Sequence, residues 1–533
     1  MEKLFFSEFP FNIPISYTYN DFLLIPQYTE ITSRSQCDVA SLFSKNVPLN
    51  IPIVSSPMDT VTETKMAIGM ARNGGIGVLH RYQSIKDQVK MLLKAKRAEN
   101  FIIEDPYVID ENETIENVKK IVDSIGISSF LVTDMQNKQV FPGRKNSFMN
   151  NSGADLLFKN NTFTKLPSNC EDDKFELKGI LTSRDLKAAK SSDAIVKTLM
   201  TKREKMTVFT KPNDANLGDT DKVKLYDVIT SNRLEKLPIV DQKNFIVGLA
   251  TEKDLYRILN SSVSNVNDLG KLRVSAAVGC RGDYLERAEA LVSAGCDALV
   301  IDVANGHNKM TIDVTAELKE KFKGKCDIVS GNVATGDGAR RLIEAGADSI
   351  RVGIGNGSIC ITRIVSGAGV PQVTALMSVS KVCNEYNIPI ISDGGNKTSG
   401  NMCKSLAIGS SCLMLGRLIA GTDESPNKPF LKNGTYVKIH RGMAGYGANL
   451  AKAEKMNTKQ PDGLEFTPEG VEGYVNYSGS LANVLKGFVM GIKSGMSYTG
   501  ARTIRELREK GVLTLISQSG LKESHSHGIT QMK

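Results

Sequence analysis

A cysteine closes an apolar strand in the segment Gly353-Ile354-Gly355-Asn356-Gly357-Ser358-Ile359-Cys360-Ile361-Thr362-Arg363. Its surroundings are those of a nucleophile. Glycines at this density let the backbone turn tightly and bring bare N–H groups against a ligand. A cysteine that only filled a core, the ordinary fate of a cytosolic thiol, needs no such loop.

Other polar or glycine-rich residues follow apolar runs in the same way. They are Ser55-Ser56-Pro57-Met58-Asp59, His80-Arg81-Tyr82, Asp302-Val303-Ala304-Asn305-Gly306, Gly331-Asn332-Val333, Ser392-Asp393-Gly394-Gly395 and Gly416-Arg417. Any one would serve as a turn or a cap, but all of them at the same strand end point to a site. Ser358, Gly394, Gly395 and Gly416 offer hydroxyl and backbone N–H donors suited to a phosphate. Asp393 beside them is placed to accept hydrogen bonds from two ribose hydroxyls. Asp302 and Asn332, on other strands, suit a nicotinamide or its ribose. No second cysteine and no His-rich cluster lies near, so metal-assisted catalysis has little support.

The elements that must position these residues alternate. Strand candidates are 51–55, 75–79, 272–276, 298–301, 327–330, 349–352, 388–391 and 412–415, and helical patterns fall at 281–295, 308–323, 337–346, 372–386 and 399–408. Near-continuous apolar strands suit a parallel sheet buried on both faces. Eight such units predict an α/β fold of the (β/α)8 TIM-barrel type. A doubly wound open sheet is the runner-up, and the absence of GxGxxG after the first strand counts against it.

The alternation is interrupted once, so the expected domains are 1–100 and 263–533, forming the barrel, and an insertion at 101–262. The insertion holds an internal repeat, Gly179-Ile180-Leu181-Thr182-Ser183-Arg184-Asp185-Leu186 and Gly248-Leu249-Ala250-Thr251-Glu252-Lys253-Asp254-Leu255. Each copy follows a strand-like run (129–132 and 237–240) and opens a helix. Thr and Asp at such a turn could hold a ribose and phosphate; helix N-capping by Thr182 and Thr251 explains them equally well. Within the first copy, the polar stretch 136–177 has the composition of a loop insertion.

Bulk properties narrow the function further. The chain has 533 residues, 41% hydrophobic and 23% charged, the balance of a soluble globular protein of two or three domains. No apolar run is long enough to span a membrane, and acids and prolines interrupt the N-terminal apolar stretch, against a signal peptide. Nine cysteines without a CxxC pair fit free thiols in a reducing, cytoplasmic compartment. The C-terminal Gln531-Met532-Lys533 is not a peroxisomal signal. The net charge of +9 is dispersed and Trp is absent, which argues against nucleic-acid binding and for attraction of anionic phosphorylated metabolites.

Several segments together resemble the inosine-monophosphate dehydrogenase and guanosine-monophosphate reductase superfamily over nearly the whole length. They are YNDFLLIP (19–26), SSPMDTVTE (55–63), GNVATGDGA (331–339), VGIGNGSICITRIVSGAGVPQ (352–372), SDGGNKTSGNMCKSLAIGSSCLMLG (392–416) and HRGMAG (440–445). The resemblance implies Cys360, Thr362 and Glu469 as catalytic residues. It implies that Ser358, Asp393, Gly394, Gly395, Gly416, Arg417, Arg441, Gly442 and Met443 hold the purine mononucleotide. Asp302, Ala304, Asn332, Gly353 and Gly355 would face the nicotinamide cofactor. The insertion resembles a cystathionine-β-synthase-type (CBS) pair, with Thr182, Asp185, Thr251 and Asp254 contacting regulatory purine nucleotides. The same resemblance implies a homo-tetramer, pairing into octamers through the inserted domains. It also implies a K+ site at the carbonyls of Gly355, Gly357 and Cys360, completed by Glu523 from a neighbouring tail.

In both enzymes of the superfamily the cysteine attacks purine C2. The dehydrogenase oxidises IMP with NAD and hydrolyses the adduct with water activated by an Arg-Tyr pair in a flap. The reductase expels ammonia from GMP and then takes hydride from NADPH. In this chain the flap, GANLAKAEKMNTKQPDGLEFTP (447–468), has no arginine and no tyrosine, and the pair's places hold Met456-Asn457 or Lys455-Met456. A lysine does not replace a planar guanidinium innocuously. Asp302-Val303-Ala304-Asn305-Gly306 resembles the reductase's DVANG, whereas dehydrogenases carry a serine pair or Thr-Ala-His after that aspartate. SSPMDTVTE, the flap length and Glu523-Ser524-His525 are dehydrogenase-like, and Arg81 stands where the reductase carries a lysine that assists deamination. Simple reductases also lack the inserted pair, although reductases that carry it are known. The balance favours a GMP reductase; the alternatives are an IMP dehydrogenase with an altered flap and a non-enzymatic nucleotide-sensing scaffold.

Overall fold

Eight short parallel strands close into a barrel, buried along their length except at Asp393, because both faces are covered. The computed structural model describes residues 14–98, 102–103, 106–125, 129–135, 139–140, 163–166, 173–189, 191, 193–211, 219–259, 263–268, 270–456 and 467–526. The strands are β1 (Ile53–Ser55), β2 (Ile76–Leu79), β3 (Val274–Val278), β4 (Ala298–Ile301), β5 (Asp327–Val333), β6 (Ser349–Val352), β7 (Ile390–Asp393) and β8 (Cys412–Leu415). β8 pairs with β1 and β2 pairs with β3, so the ring closes across the inserted segment. The expected TIM-type barrel is therefore the observed fold. The open doubly wound sheet is excluded by the closure.

Helices α1 (Thr64–Arg72), α2 (Ile85–Lys96), α3 (Tyr284–Ser293), α4 (Lys309–Phe322), α5 (Gly336–Glu344), α6 (Gln372–Tyr386), α7 (Ser399–Ile408) and α8 (Leu481–Tyr498) follow the strands in turn. α8 packs on both α7 and α1 and completes the outer ring. Of the boundaries that differ from the sequence expectation, three have a local reason. β3 starts at Val274 because Leu272 bridges Val266 instead. β7 starts after Pro389, which lacks an N–H and gives only its carbonyl to Ile350 N at 3.0 Å. β5 runs on to Val333 through a register shift against β6 after Gly331.

The barrel interior is packed by Val54, Val78, Ala277, Val300, Val329, Ile391 and Met414. From the N-terminal end a hairpin, 41–44 with 47–49, inserts Phe43, Val47 and Leu49 into the same cluster. Asp327 ties it down by accepting from Ser44 Oγ at 2.6 Å and from Asn46 N and Nδ2, each at 2.8 Å. That hairpin plugs the N-terminal end of the barrel interior.

Residues 1–98 and 263–533 form this unit, and 99–262 form a second. The second repeats one topology. Tyr107–Asp110 runs parallel to Phe130–Thr133, which pairs antiparallel with Gly179–Leu181. Phe209–Thr210, Lys236–Val240 and Ile246–Thr251 do the same. Most of the polar stretch 136–177 lies outside the described residues. Thr182 and Thr251 are helix caps: each hydroxyl donates to the Asp three residues on, Asp185 and Asp254, at 2.7 Å. Among the described residues no helix is long and apolar enough to cross a membrane.

Candidate active site

A cavity of about 400 Å³ opens at the C-terminal ends of the strands. Cys360, Thr362 and Glu469 line it with Ser358, Asp393, Gly394, Gly395, Gly416, Arg417, Gly442 and Met443. Asp302, Ala304, Asn332, Gly353, Gly355 and Gly357 complete the same wall. Arg441 alone among the expected barrel-site residues is not in the lining. Its guanidinium is turned to Asp59, donating Nε–H to Oδ2 at 2.9 Å and pairing again through Nη2.

Backbone pairing brings the reactive residues together across more than a hundred residues of sequence. Ile361 N donates to Glu469 O and Val471 N to Ile359 O, each at 2.9 Å, and Cys360 bridges Gly470. Glu469 N is held in turn by Ala444 O at 3.0 Å. Cys360 Sγ lies 3.0 Å from Thr362 Oγ1, within reach of a proton exchange. The loop can turn here because Gly353 adopts φ +146° where a Cβ would sit 2.1 Å from the Asp393 carbonyl oxygen.

Beneath the loop lies a polar support. Asn356 Nδ2 donates to Asp393 O at 3.1 Å and to Gln372 Oε1. Gln372 Nε2 donates to Val352 O at 2.9 Å and to Ser392 Oγ at 3.2 Å. Ser392 meets Tyr19 OH at 3.1 Å, and burial pushes that phenol up to about 12 despite its bonds to Ser392 and Ser405. Tyr19 of YNDFLLIP thus braces the end of β7.

The two candidate ribose carboxylates are joined. Arg351, on β6, donates from Nη1 to Asp302 Oδ1 at 2.7 Å and from Nε to Asp393 Oδ2 at 2.9 Å. Asn332 Nδ2 shares that Asp393 oxygen at 2.8 Å. Asn332 Oδ1 is buried without a protein partner, a vacancy that suits a ligand amide or hydroxyl donor, so the wall fits a nicotinamide nucleotide. Arg81 reaches Asp302 from the other side, at 3.3 Å to its carbonyl and 3.7 Å to its carboxylate.

His440 also lines the cavity. It is 2% exposed, and its Nδ1 lies 3.3 Å from Thr60 Oγ1. Burial, with help from Arg417, lowers its pKa from 6.5 to about 4. The unfolded chain therefore takes up this proton first. The stability contributed by the neutral ring is full above about pH 6.5 and is lost as the pH falls toward 4. Urea melts at pH 7 and pH 5 should differ by about 2 kcal/mol more in the parent protein than in His440→Gln. Equal differences would deny His440 this role.

Arg351, Asn356 and His440 were not legible as site residues from spacing. Arg351 carried a signal nonetheless: a charge in an apolar strand, on the face opposite Ile350 and Val352, which pack outward. Among the described residues no group of three or more His, Cys, Asp or Glu could hold a metal. A helix, Tyr446–Met456, begins just before the flap and runs into it, Lys455 Nζ lies 3.9 Å from Glu63 Oε1, and Asn457 falls outside the described residues.

A closed (β/α)8 barrel with a loop cysteine beside arginine-bridged carboxylates, all at the C-terminal end of its strands, is the frame of an enzyme. Residues 16–527 match the model of the IMP dehydrogenase / GMP reductase domain. The chain belongs to this oxidoreductase family. It is 39% identical to the inosine-5'-monophosphate dehydrogenase of Nitrosopumilus maritimus, over 97% of this chain and 98% of that protein. It is equally 39% identical to the GMP reductase of Leishmania major, over 98% of each. Among solved structures, a cysteine-to-alanine variant of the Trypanosoma brucei GMP reductase with guanosine 5'-monophosphate superposes with a TM-score of 0.82 at 38% identity, covering 97% of this chain and 99% of that one. The same enzyme with guanosine 5'-triphosphate gives a TM-score of 0.72 at 32% identity, covering 95% and 98%.

Proposed function

We propose that this protein is a GMP reductase, converting GMP to IMP and ammonia at the expense of NADPH in purine salvage. The observation that carries the reading is the flap, which has neither arginine nor tyrosine with which to activate water against a covalent adduct. The Asp302-Val303-Ala304-Asn305-Gly306 segment and the likeness to GMP reductase structures support it. The alternative, NAD-dependent oxidation of IMP to XMP, draws on SSPMDTVTE and on the equal identity to an IMP dehydrogenase.

In the proposed reaction Cys360 gives its proton toward Thr362 and Glu469 as sulfur bonds to purine C2. The C2–N bond then breaks and the amine leaves as ammonia, protonated through the same pair. NADPH, when bound, supplies the hydride that ends on C2. The sulfur–carbon bond breaks, Cys360 recovers a proton, and IMP is free to leave. Ser358, Gly394, Gly395 and Gly416 with Arg417 hold the phosphate, and Gly442 and Met443 face the base. Asp393 takes the ribose. Asp302, Ala304, Asn332, Gly353 and Gly355 face the nicotinamide end. Arg441 acts through Asp59 in this arrangement.

A K+ ion at the carbonyls of Gly355, Gly357 and Cys360 remains part of the proposal. The Gly357 carbonyl already accepts from Cys360 N at 3.2 Å, and no chemical step needs the ion. The inserted unit is proposed as a CBS pair whose Thr182, Asp185, Thr251 and Asp254 meet purine nucleotides, in a cytoplasmic tetramer that can form octamers. Its duplicated topology and the GTP complex of the trypanosomal relative support that assignment. One purified sample assayed for GMP-dependent NADPH oxidation and for IMP-dependent NAD reduction tests the choice. The first is expected to be faster; a faster IMP reaction would overturn it.

A further inference from the structure

We propose that Arg351 is a positioning residue that couples the two nucleotide sites through the carboxylates of Asp302 and Asp393. The inference rests on the assignment of Asp393 to the mononucleotide and Asp302 to the dinucleotide. One guanidinium makes both contacts, at 2.7 Å through Nη1 and 2.9 Å through Nε. It is only 7% exposed, so neither contact is exchanged easily for water. Asn332 fixes the same Asp393 oxygen, and Arg81 flanks Asp302, giving the alternation Arg81, Asp302, Arg351, Asp393 across the mouth. Two positive and two negative groups leave the row neutral, the condition under which buried charges are tolerated.

The fork is planar and rigid, so moving one carboxylate moves the seat of the other. A ribose bonded to Asp393 orders Arg351 and, through it, Asp302. The second nucleotide then meets an ordered partner, and its affinity rises. A lysine keeps the charge, but its single ammonium cannot present two fixed N–H groups to carboxylates on opposite sides.

The test uses the full chain carrying Cys360→Ala, which prevents turnover. GMP affinity is measured by calorimetry with and without saturating NADPH, and IMP with and without NAD. With Arg351 present, the dinucleotide is expected to tighten GMP binding about tenfold. In the Arg351→Lys variant each ligand alone should bind within about threefold of the parent while the tightening disappears. Retained coupling in Arg351→Lys, or none in the parent, overturns the inference. Coupling seen only for IMP with NAD leaves Arg351 in its role and refutes the proposed reaction. Failure of every mononucleotide to bind refutes both. If Arg351→Lys does not fold, Arg351→Gln, which likewise cannot bridge both carboxylates, takes its place and the tightening should again disappear; retained tightening overturns the inference.

Discussion

Replacing Cys360 with alanine is expected to lower turnover roughly 10⁵-fold or more while GMP affinity stays within a few-fold. The sulfur would form the only covalent bond to substrate in the proposed reaction, so no neighbour can take its part. Thr362 Oγ1, 3.0 Å away, is a far weaker nucleophile than sulfur at neutral pH. In the proposed reaction binding falls to other residues that line the cavity, the Ser358 and Gly394–Gly395 loops, Gly416 and Asp393. The loop itself is held by backbone bonds from Ile359 and Ile361 to the 469–471 segment, which an alanine leaves intact. Steady-state rates and calorimetry of the same sample separate the two effects. If the variant binds and the parent turns over nothing, the barrel is a sensing scaffold. If the variant still turns over at a tenth of the parent rate, covalent catalysis is wrong.

The second large effect is expected at Glu469. Glu469→Gln keeps the side chain's size and leaves its backbone bonds to Ile361 and Ala444 in place. It removes only a carboxylate able to take and return a proton. A general acid–base contribution is worth roughly 10²- to 10⁴-fold, so kcat should fall by about that factor with KM little changed. Thr362→Val, which deletes the hydroxyl 3.0 Å from the thiol, should fall in the same direction. A full rate in both variants would place the proton with another group lining the cavity, of which the carboxylates of Asp302 and Asp393 are the nearest in kind.

The barrel was legible because its strands are short, apolar and evenly spaced, and because polar or glycine residues follow each of them. Those same punctuation marks supplied most of the residues that line the cavity, while His440, Gly442, Met443, Ala444, Glu469 and Gly470 come from segments beyond the last strand. Legibility failed where a residue's role depends on a partner far along the chain. Arg351 looks like a lone charge in a strand until Asp302 and Asp393 are seen on either side of it. His440 belongs to a recognised motif, yet its burial against Thr60 follows from a loop packed across the mouth. Arg441 failed in the opposite way, since its motif suggests a ligand contact and Asp59, nearly four hundred residues earlier, takes its guanidinium. In the inserted unit the Thr–Asp pairs are helix caps in the structure, and any nucleotide they hold must share them with that duty.

The proposed enzyme differs from a simple nucleotide binder by a bond between one sulfur and purine C2 in a site that does not hydrolyse it. The most direct measurement is mass spectrometry of the protein quenched after incubation with GMP alone. The Cys360 peptide is expected to carry GMP less ammonia, a modification lost on addition of NADPH as IMP appears. An unmodified Cys360 throughout, or release of XMP in place of the adduct, would contradict it.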